Sequence, residues 1–127
     1  MAGIKTSIIT LFLLIGVAVA GCSNQAQTGT NKIPTGANVT ILSDPGLAQA
    51  GFNYEGEFRP ASVSVSVGGM VTWNNTDNKD HTVVSYDGLF NQRLQSGQSF
   101  NYTFTQNGTY KYHDVLYDGM DGVVYVQ

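Results

Sequence analysis

Strict alternation of valine and serine between residues 62 and 67 constrains the fold more than any other feature of the chain. Valines occupy every second position from Val63 to Val67, and serines fill the positions between them. Successive side chains of a strand point to opposite faces, so this pattern predicts a strand with one apolar face and one polar face. Such a strand must bury its apolar face against a second layer of structure.

The same period of two recurs along the rest of the chain, separated by turn signals rich in Gly and Asn. Further strands are predicted at Asn38–Leu42, Val71–Trp73, His81–Ser85, Phe100–Phe104, Tyr110–Tyr112 and Gly122–Val126. About seven short strands of this kind predict an all-β, seven- to eight-stranded Greek-key β-sandwich. Trp73 and the aromatic run from Phe100 to Tyr112 are predicted to form its core.

Two connections carry their own predictions. Asn107-Gly108 is a typical hairpin turn signal, so it predicts a hairpin between the strands on either side. The segment from Ser43 to Glu57 fits no strand, and its composition predicts a surface excursion or a short helix around residues 47–50.

The N-terminus has the features of an export signal. Lys5 supplies a positive charge, and the apolar run from Ile8 to Ala20 is shorter than the roughly 20 residues that span a bilayer. Val19-Ala20-Gly21-Cys22 resembles the lipobox of prokaryotic lipoproteins, which predicts a signal peptide at 1–21 and a lipidated Cys22. The alternatives are an ordinary signal peptide with a chance cysteine, or an uncleaved N-terminal anchor.

The segment after Cys22 predicts a tether. Residues 22–36 are polar and rich in Gly, Thr, Asn and Gln, which is typical of a flexible linker. The domain is then predicted at 37–127. Because Cys22 is the only cysteine, this domain has no disulfide and no thiol of its own. We expect it to be exported and held at the outer face of the cell membrane, or at a periplasmic or pseudoperiplasmic membrane surface.

The charge of the chain argues against nucleic-acid binding. The chain has 6 basic and 9 acidic residues, a net charge of −3, whereas nucleic-acid surfaces are basic. Two acidic clusters are predicted to be solvated loops rather than a metal cage; they are Asp77, Asp80 and Asp87, then Asp114, Asp118 and Asp121. No nucleophile triad, phosphate loop or zinc-ligand spacing indicates an enzyme.

Four asparagines begin N-x-Thr sequons, which are acceptor motifs for N-glycosylation or arise by chance in a chain rich in Asn and Thr. They are Asn38, Asn74, Asn101 and Asn107.

The pattern from residue 58 onwards resembles the plastocyanin-like cupredoxins, the blue (type 1) copper domain family. The resemblance rests on three segments in order: Phe58-x-Pro60-x-x-Val63-x-Val65-x-x-Gly68-x-x-Val71-x-Trp73-x-Asn75-x-Asp77-x-x-x-His81-Thr82-Val83, then Ser96 to Tyr112, then Gly119-Met120-x-Gly122-x-Val124. It implies copper as the cofactor, electron transfer as the role, and a redox or surface protein as the partner.

The implied copper ligands are only partly present. His81 matches the first His of the family and Met120 matches the axial Met, but Asp114 stands at the Cys position and Tyr117 at the second His position. A type 1 site needs a thiolate and two imidazoles. His113, the neighbour of Asp114, is an additional candidate ligand, although neighbours on a strand point to opposite faces.

Three hypotheses therefore stay open. The first is a copper-binding electron-transfer protein of the usual kind. The second is a non-blue site for copper or zinc, built from His81, Asp114 and Met120 with help from Tyr117 or His113. The third is a metal-free cupredoxin fold that serves as a cell-surface binding or assembly module. In the third, His81 is a satisfied structural histidine and Asp114 caps its loop by accepting backbone N–H groups.

Overall fold

A computed structural model describes residues 31–43 and 56–127, which fold into two β-sheets packed face to face. Its strands are β1 (Gly36–Leu42), β2 (Glu57–Arg59), β3 (Ser62–Val65), β4 (Gly69–Asn75), β5 (His81–Ser85), β6 (Asn91–Leu94), β7 (Ser99–Phe104), β8 (Gly108–His113) and β9 (Asp121–Val126). The predicted all-β sandwich is confirmed. The two strands that were not predicted are β2, which is too short for a periodic signal, and β6, which is almost wholly polar.

The strands are shared between a four-stranded sheet in the order β2-β1-β4-β7 and a five-stranded sheet in the order β3-β9-β8-β5-β6. The pairs β1–β4 and β3–β9 are parallel, and the remaining pairs are antiparallel. Since β7 and β8 belong to different sheets, the hairpin predicted at Asn107-Gly108 is wrong. The local sequence specifies a chain reversal there, but only tertiary packing decides which strand becomes the partner.

The sandwich has two distinct ends. At the base, β1 begins at Gly36 beside the start of β4, and β4 begins beside the end of β7. The turns at residues 66–68 and 105–107 also lie at the base. The apex is formed by the loops at residues 75–80 and 114–120, together with Gly56. Seven residues of β1 separate the two ends, a span of about 20 Å at the usual rise of a strand.

The core is aromatic and lies between the sheets. Trp73 and Tyr112 are fully buried and meet edge to face, with ring centroids 5.2 Å apart. Tyr112 lies directly over Gly122, where a Cβ atom would overlap its ring. The burial of Trp73 confirms its predicted position in the core.

Val67 lies outside β3 and is 50% exposed, because the chain leaves the sheet to turn at Gly68.

The predicted signal peptide, Cys22, most of the predicted tether, and residues 44–55 of the predicted excursion lie outside the described residues. Where the chain leads into β1, the carbonyls of Pro34 and Thr35 accept backbone hydrogen bonds from Ser66 and Met70. Pro34 and Thr35 are therefore fixed at the base. Across residues 31–43 and 56–127, no helix has the length and apolar character needed to cross a bilayer.

Candidate functional site at the apex

A buried histidine at the start of β5 organises the apex. The His81 side chain is inaccessible to solvent and lies between two buried carboxylates. Its Nδ1 is 2.7 Å from Oδ2 of Asp114, and its Nε2 is 2.8 Å from Oδ2 of Asp77. A carboxylate accepts hydrogen bonds, so both ring nitrogens donate and the ring is an imidazolium. We call these three side chains the ion triad.

The two carboxylates determine the charge state of the ring. Burial alone lowers the pKa of His81, but the hydrogen bonds and negative charges of Asp114 and Asp77 outweigh burial, so the pKa is raised. The two hydrogen bonds and the raised pKa of His81 therefore both favour the protonated ring. Two carboxylates and one imidazolium leave the ion triad with one net negative charge.

Asp77 is positioned by the loop that precedes β5. The buried side chain of Asn75 donates hydrogen bonds from Nδ2 to the carbonyls of Lys79, at 2.7 Å, and Leu94, at 3.0 Å. Its Oδ1 accepts the N–H of Asp77 at 3.0 Å. Asn75 thus takes the place of a backbone turn and holds the loop in the shape that directs Asp77 towards His81.

Asp114 is held by a second set of donors. Its Oδ1 accepts hydrogen bonds from Thr82 Oγ1 at 2.6 Å, Thr82 N at 3.2 Å and Leu116 N at 2.9 Å. Burial raises the pKa of Asp114, but the bonds from His81, Thr82 and Leu116 outweigh it, so the pKa is lowered. The predicted capping of the loop by Asp114 is confirmed.

Tyr117 and Met120 complete the surroundings of the ring. The Tyr117 ring packs against the His81 ring, with centroids 4.9 Å apart and the ring planes tilted by 47°. Met120 is buried. A Cβ atom at Gly56 would lie 2.8 Å from His81 Cε1 and 3.1 Å from Met120 Sδ. Only glycine lets the chain pass this close to both side chains.

His113 lies away from the ion triad. Its ring stacks on that of Tyr86, with centroids 4.1 Å apart, and the Tyr86 hydroxyl donates to Asp121 at 2.7 Å. The alternation of strand side chains predicted this separation from Asp114 correctly. His113 is therefore not brought together with His81, Asp114 and Met120.

Sequence reasoning missed part of this site. Asp77 and Asp114 were both predicted to lie in solvated loops, yet they are only 3% and 4% exposed. For these two residues that prediction is wrong, because each carboxylate has a buried cationic partner. Asp77, Thr82 and Gly56 were not proposed as site residues at all. The one available signal was the nearness of Asp77 to His81 in the chain.

The side chains present do not fit a type 1 copper ion. Such a site needs a thiolate and two neutral imidazoles with free lone pairs, whereas position 114 is a carboxylate and both nitrogens of His81 are engaged. The distance of 2.7 Å between His81 Nδ1 and Asp114 Oδ2 is that of a direct hydrogen bond. Two ligand atoms on a tetrahedral ion at ordinary bond lengths would lie about 3.3 Å apart.

Among the described residues, no three His, Cys, Asp or Glu side chains are arranged so that they could hold a metal ion. The metal-ligand role of His81, Asp114, Met120, Tyr117 and His113 stays a prediction. For His81 it requires the bond to Asp114 to open.

Replacing Asp114 with Asn tests the importance of the ion triad for the fold. We expect Asp114→Asn to lower the free energy of unfolding by about 3–5 kcal/mol, because it leaves His81 without one of two buried partners. Urea denaturation measures the loss. Asp118→Asn is the matched control, since it removes the same charge from an exposed position of the same loop, and we expect a change within about 0.5 kcal/mol. Equal stability of the two variants would contradict a structural role for the ion triad.

The two shifted groups also predict how stability depends on pH. The raised pKa of His81 contributes stability that is complete below 6.5 and is lost as the pH rises through the folded value. The lowered pKa of Asp114 contributes stability that is present above 3.8 and is lost as the pH falls through the folded value. We therefore expect greatest stability between these limits, measured as urea midpoints from about pH 3 to about pH 9.

The expected loss of stability at alkaline pH is caused by deprotonation of His81. His81→Gln should flatten it, and His113→Gln should leave it in place, because His113 does not contact the ion triad. A wild-type profile that rises steadily above neutral pH would contradict the assignment.

Solved structures of a purple cupredoxin and of amicyanin are similar to this chain. A search of curated protein sequences found no match. Among solved structures, the chain is similar to a purple cupredoxin from Nitrosopumilus maritimus, with 31% sequence identity and a TM-score of 0.58 over 72% of this chain and 99% of that one. A reduced amicyanin mutant matches with 26% identity and a TM-score of 0.58, over 72% and 82% of the two chains. The Cu(I) form of another amicyanin mutant matches with 25% identity and a TM-score of 0.59, over 73% and 83%.

The family comparison agrees with the fold and with the resemblance of the sequence. The model of the cupredoxin-like domain family matches residues 11–126, which is most of the chain. The chain belongs to the cupredoxin-like domain family.

Proposed function

We propose that this chain is an exported, lipid-anchored cupredoxin-like domain that acts as a binding or assembly module at the cell surface, with the ion triad in place of a copper centre. Copper binding and electron transfer are the roles of the family. The observation that carries the proposal is that both ring nitrogens of His81 are bonded to carboxylates. A histidine in that state has no lone pair to offer a metal ion.

The ion triad supports the proposal that the apex has a structural role and does not bind copper. It links the loop at residues 75–80, the start of β5 and the loop at residues 114–120 through two hydrogen bonds of 2.7 and 2.8 Å. In the family, copper joins the corresponding histidine to the corresponding loop. A proton shared between charged groups makes the same connection without a redox couple. In this proposal, the function of the fold is to display a binding surface.

The position of the first residue of β1 supports a partner-binding role for the apex. A tether that ends at Gly36 holds the base towards the membrane and directs the apex away from it. Val115 and Leu116 lie in the loop next to Asp114 and are 57% and 44% exposed. Their backbone N–H groups are fixed by Thr82 and Asp114, so two apolar side chains are presented on a rigid loop. Such a pair is suited to a protein partner with an apolar patch.

Copper titration with an optical spectrum tests the absence of a blue site. We expect the mature wild-type protein to develop no intense visible band with Cu(II), because it has no thiolate ligand. The double variant Asp114→Cys/Tyr117→His should develop such a band, and Tyr117→His alone, which keeps the ion triad, should not.

An intense band from the wild type would overturn the proposal. A colourless wild type that binds copper or zinc in calorimetry would instead favour the non-blue site of His81, Asp114 and Met120. The approach of His81 and Met120 to a common point at Gly56 favours this second candidate.

Photocrosslinking at the cell surface tests the partner-binding role. A photoreactive residue at Leu116 should give a discrete crosslinked product, because the apex faces the partner. The same residue at Val67, which is 50% exposed at the base, is the matched control and should give no such product. Val115→Ser should weaken the product formed at Leu116 several-fold. Equal crosslinking from both ends would contradict the assignment of the apex.

A further inference from the structure

The structure separates the four N-x-Thr sequons into different environments. Asn38, Asn74 and Asn101 lie within β1, β4 and β7 of the four-stranded sheet, and Asn107 lies in the turn between β7 and β8. A sequon marks a surface acceptor in an exported protein only where its asparagine amide can be reached. Exposure and hydrogen bonding of each amide therefore decide which sequon is a site.

The three sequons within strands are poorly placed. Asn74 is half-buried, and its Oδ1 accepts a hydrogen bond from Ser99 Oγ at 2.7 Å. Asn38 and Asn101 are exposed, but both are held extended in the sheet, where they flank Thr72 of the central strand. An acceptor peptide must be able to bend into an enzyme's active site, and strands paired within a sheet resist bending.

In the fourth sequon the asparagine itself lies outside the strands, whereas Gly108 and Thr109 are the first residues of β8 and pair with Val126 and Tyr125 at the end of β9. Asn107 and Thr109 are both exposed, and Asn107 belongs to the three-residue connection at 105–107 that joins the two sheets. Gly108 lies between them with φ +154°, so no side chain crowds the amide from the middle position. Within the described part of the chain, the side chains of Asn107 and Thr109 make no hydrogen bond.

The geometry points to Asn107 as an N-glycosylation site that takes an oligosaccharide from a lipid-phosphate-linked donor. The amide Nδ2 of Asn107 forms a bond to C1 of the first sugar, and the bond between C1 and the lipid-phosphate oxygen breaks. The lipid phosphate leaves with that electron pair, and the amide loses one proton to solvent. No oxidant or reductant is needed.

The position of Asn107 at the base agrees with this donor. A lipid-linked sugar is confined to the membrane surface, and the tether holds the base nearest to that surface. A glycan at the base also leaves Val115 and Leu116 at the apex uncovered. The inference rests on the export and anchoring in the proposed function, because the donor is met only outside the cytoplasm.

Peptide mass mapping of the full chain, purified from the membranes of the cells that make it, tests the assignment. We expect a sugar-containing mass increase on the peptide that holds Asn107 and none on the peptide that holds Asn74. Thr109→Ala should abolish the increase, and Thr109→Ser, which keeps the sequon, should preserve it. A second arm incubates the purified full chain with an oligosaccharyltransferase and a lipid-linked oligosaccharide, so that it reads the acceptor without requiring export.

Each outcome decides the inference. An unmodified Asn107 in both arms overturns it, and so does modification confined to Asn38 or Asn101. The same mass maps report Cys22 separately. A retained signal peptide or an unlipidated Cys22 contradicts the proposed anchoring, while the incubated arm still decides whether Asn107 is the acceptor.

Discussion

The apex of this protein depends on one interaction, the placement of the His81 imidazolium between Asp77 and Asp114. Buried charges are costly unless they are paired and their remaining hydrogen-bonding capacity is satisfied. Here the pairing comes from the two contacts of 2.7 and 2.8 Å. The remaining capacity of Asp114 is met by Thr82 and Leu116. Because those donors are fixed only when the loops are folded, the charges and the loop conformations stabilise one another.

The ion triad and a copper centre both link a histidine to a neighbouring loop, but by different interactions. In the family, a metal ion bonds to the histidine and to a loop residue, and the ion has two oxidation states. In this chain a proton lies between the corresponding side chains, and the link is set by charge and hydrogen bonding. A proton holds the two groups together only between the folded pKa values of Asp114 and His81, and it has no second oxidation state. At this position the cupredoxin-like fold accommodates a buried histidine bonded to two carboxylates.

The two ends of the sandwich differ in what they present. The base holds the start of β1, the turn after β3 and the exposed turn at Asn107, and none of these elements contacts the ion triad. The apex holds the ion triad and the exposed pair Val115 and Leu116. About 20 Å of strand separates the ends, so attachment at the base need not disturb the loops at the apex. This division follows from the parallel pairing of β1 with β4, which brings the chain in at the end opposite to His81.

The sequence predicted the sandwich, seven of its strands and its aromatic core, because alternation with a period of two is a local property of the chain. It also brought His81, Asp114, Tyr117 and Met120 to one region, through the resemblance to a known family. It did not predict β6, whose polar residues carry no periodic signal, or the true partner of β8, because a turn sequence specifies a reversal and not a sheet.

Only the tertiary structure decided the chemistry of the site. Asp77 and Asp118 both belong to acidic clusters, and the sequence separates them only by the nearness of Asp77 to His81 in the chain. Asp77 is buried because Asn75 holds its loop against Lys79 and Leu94, which directs the carboxylate to Nε2 of His81. The sequence by itself brought His81 and Asp114 to the apex, but it did not identify Asp77 as the second partner of His81. Folding determined that the three side chains form an ion triad, since the partners of a buried charge come from segments that only the packed sheets bring together.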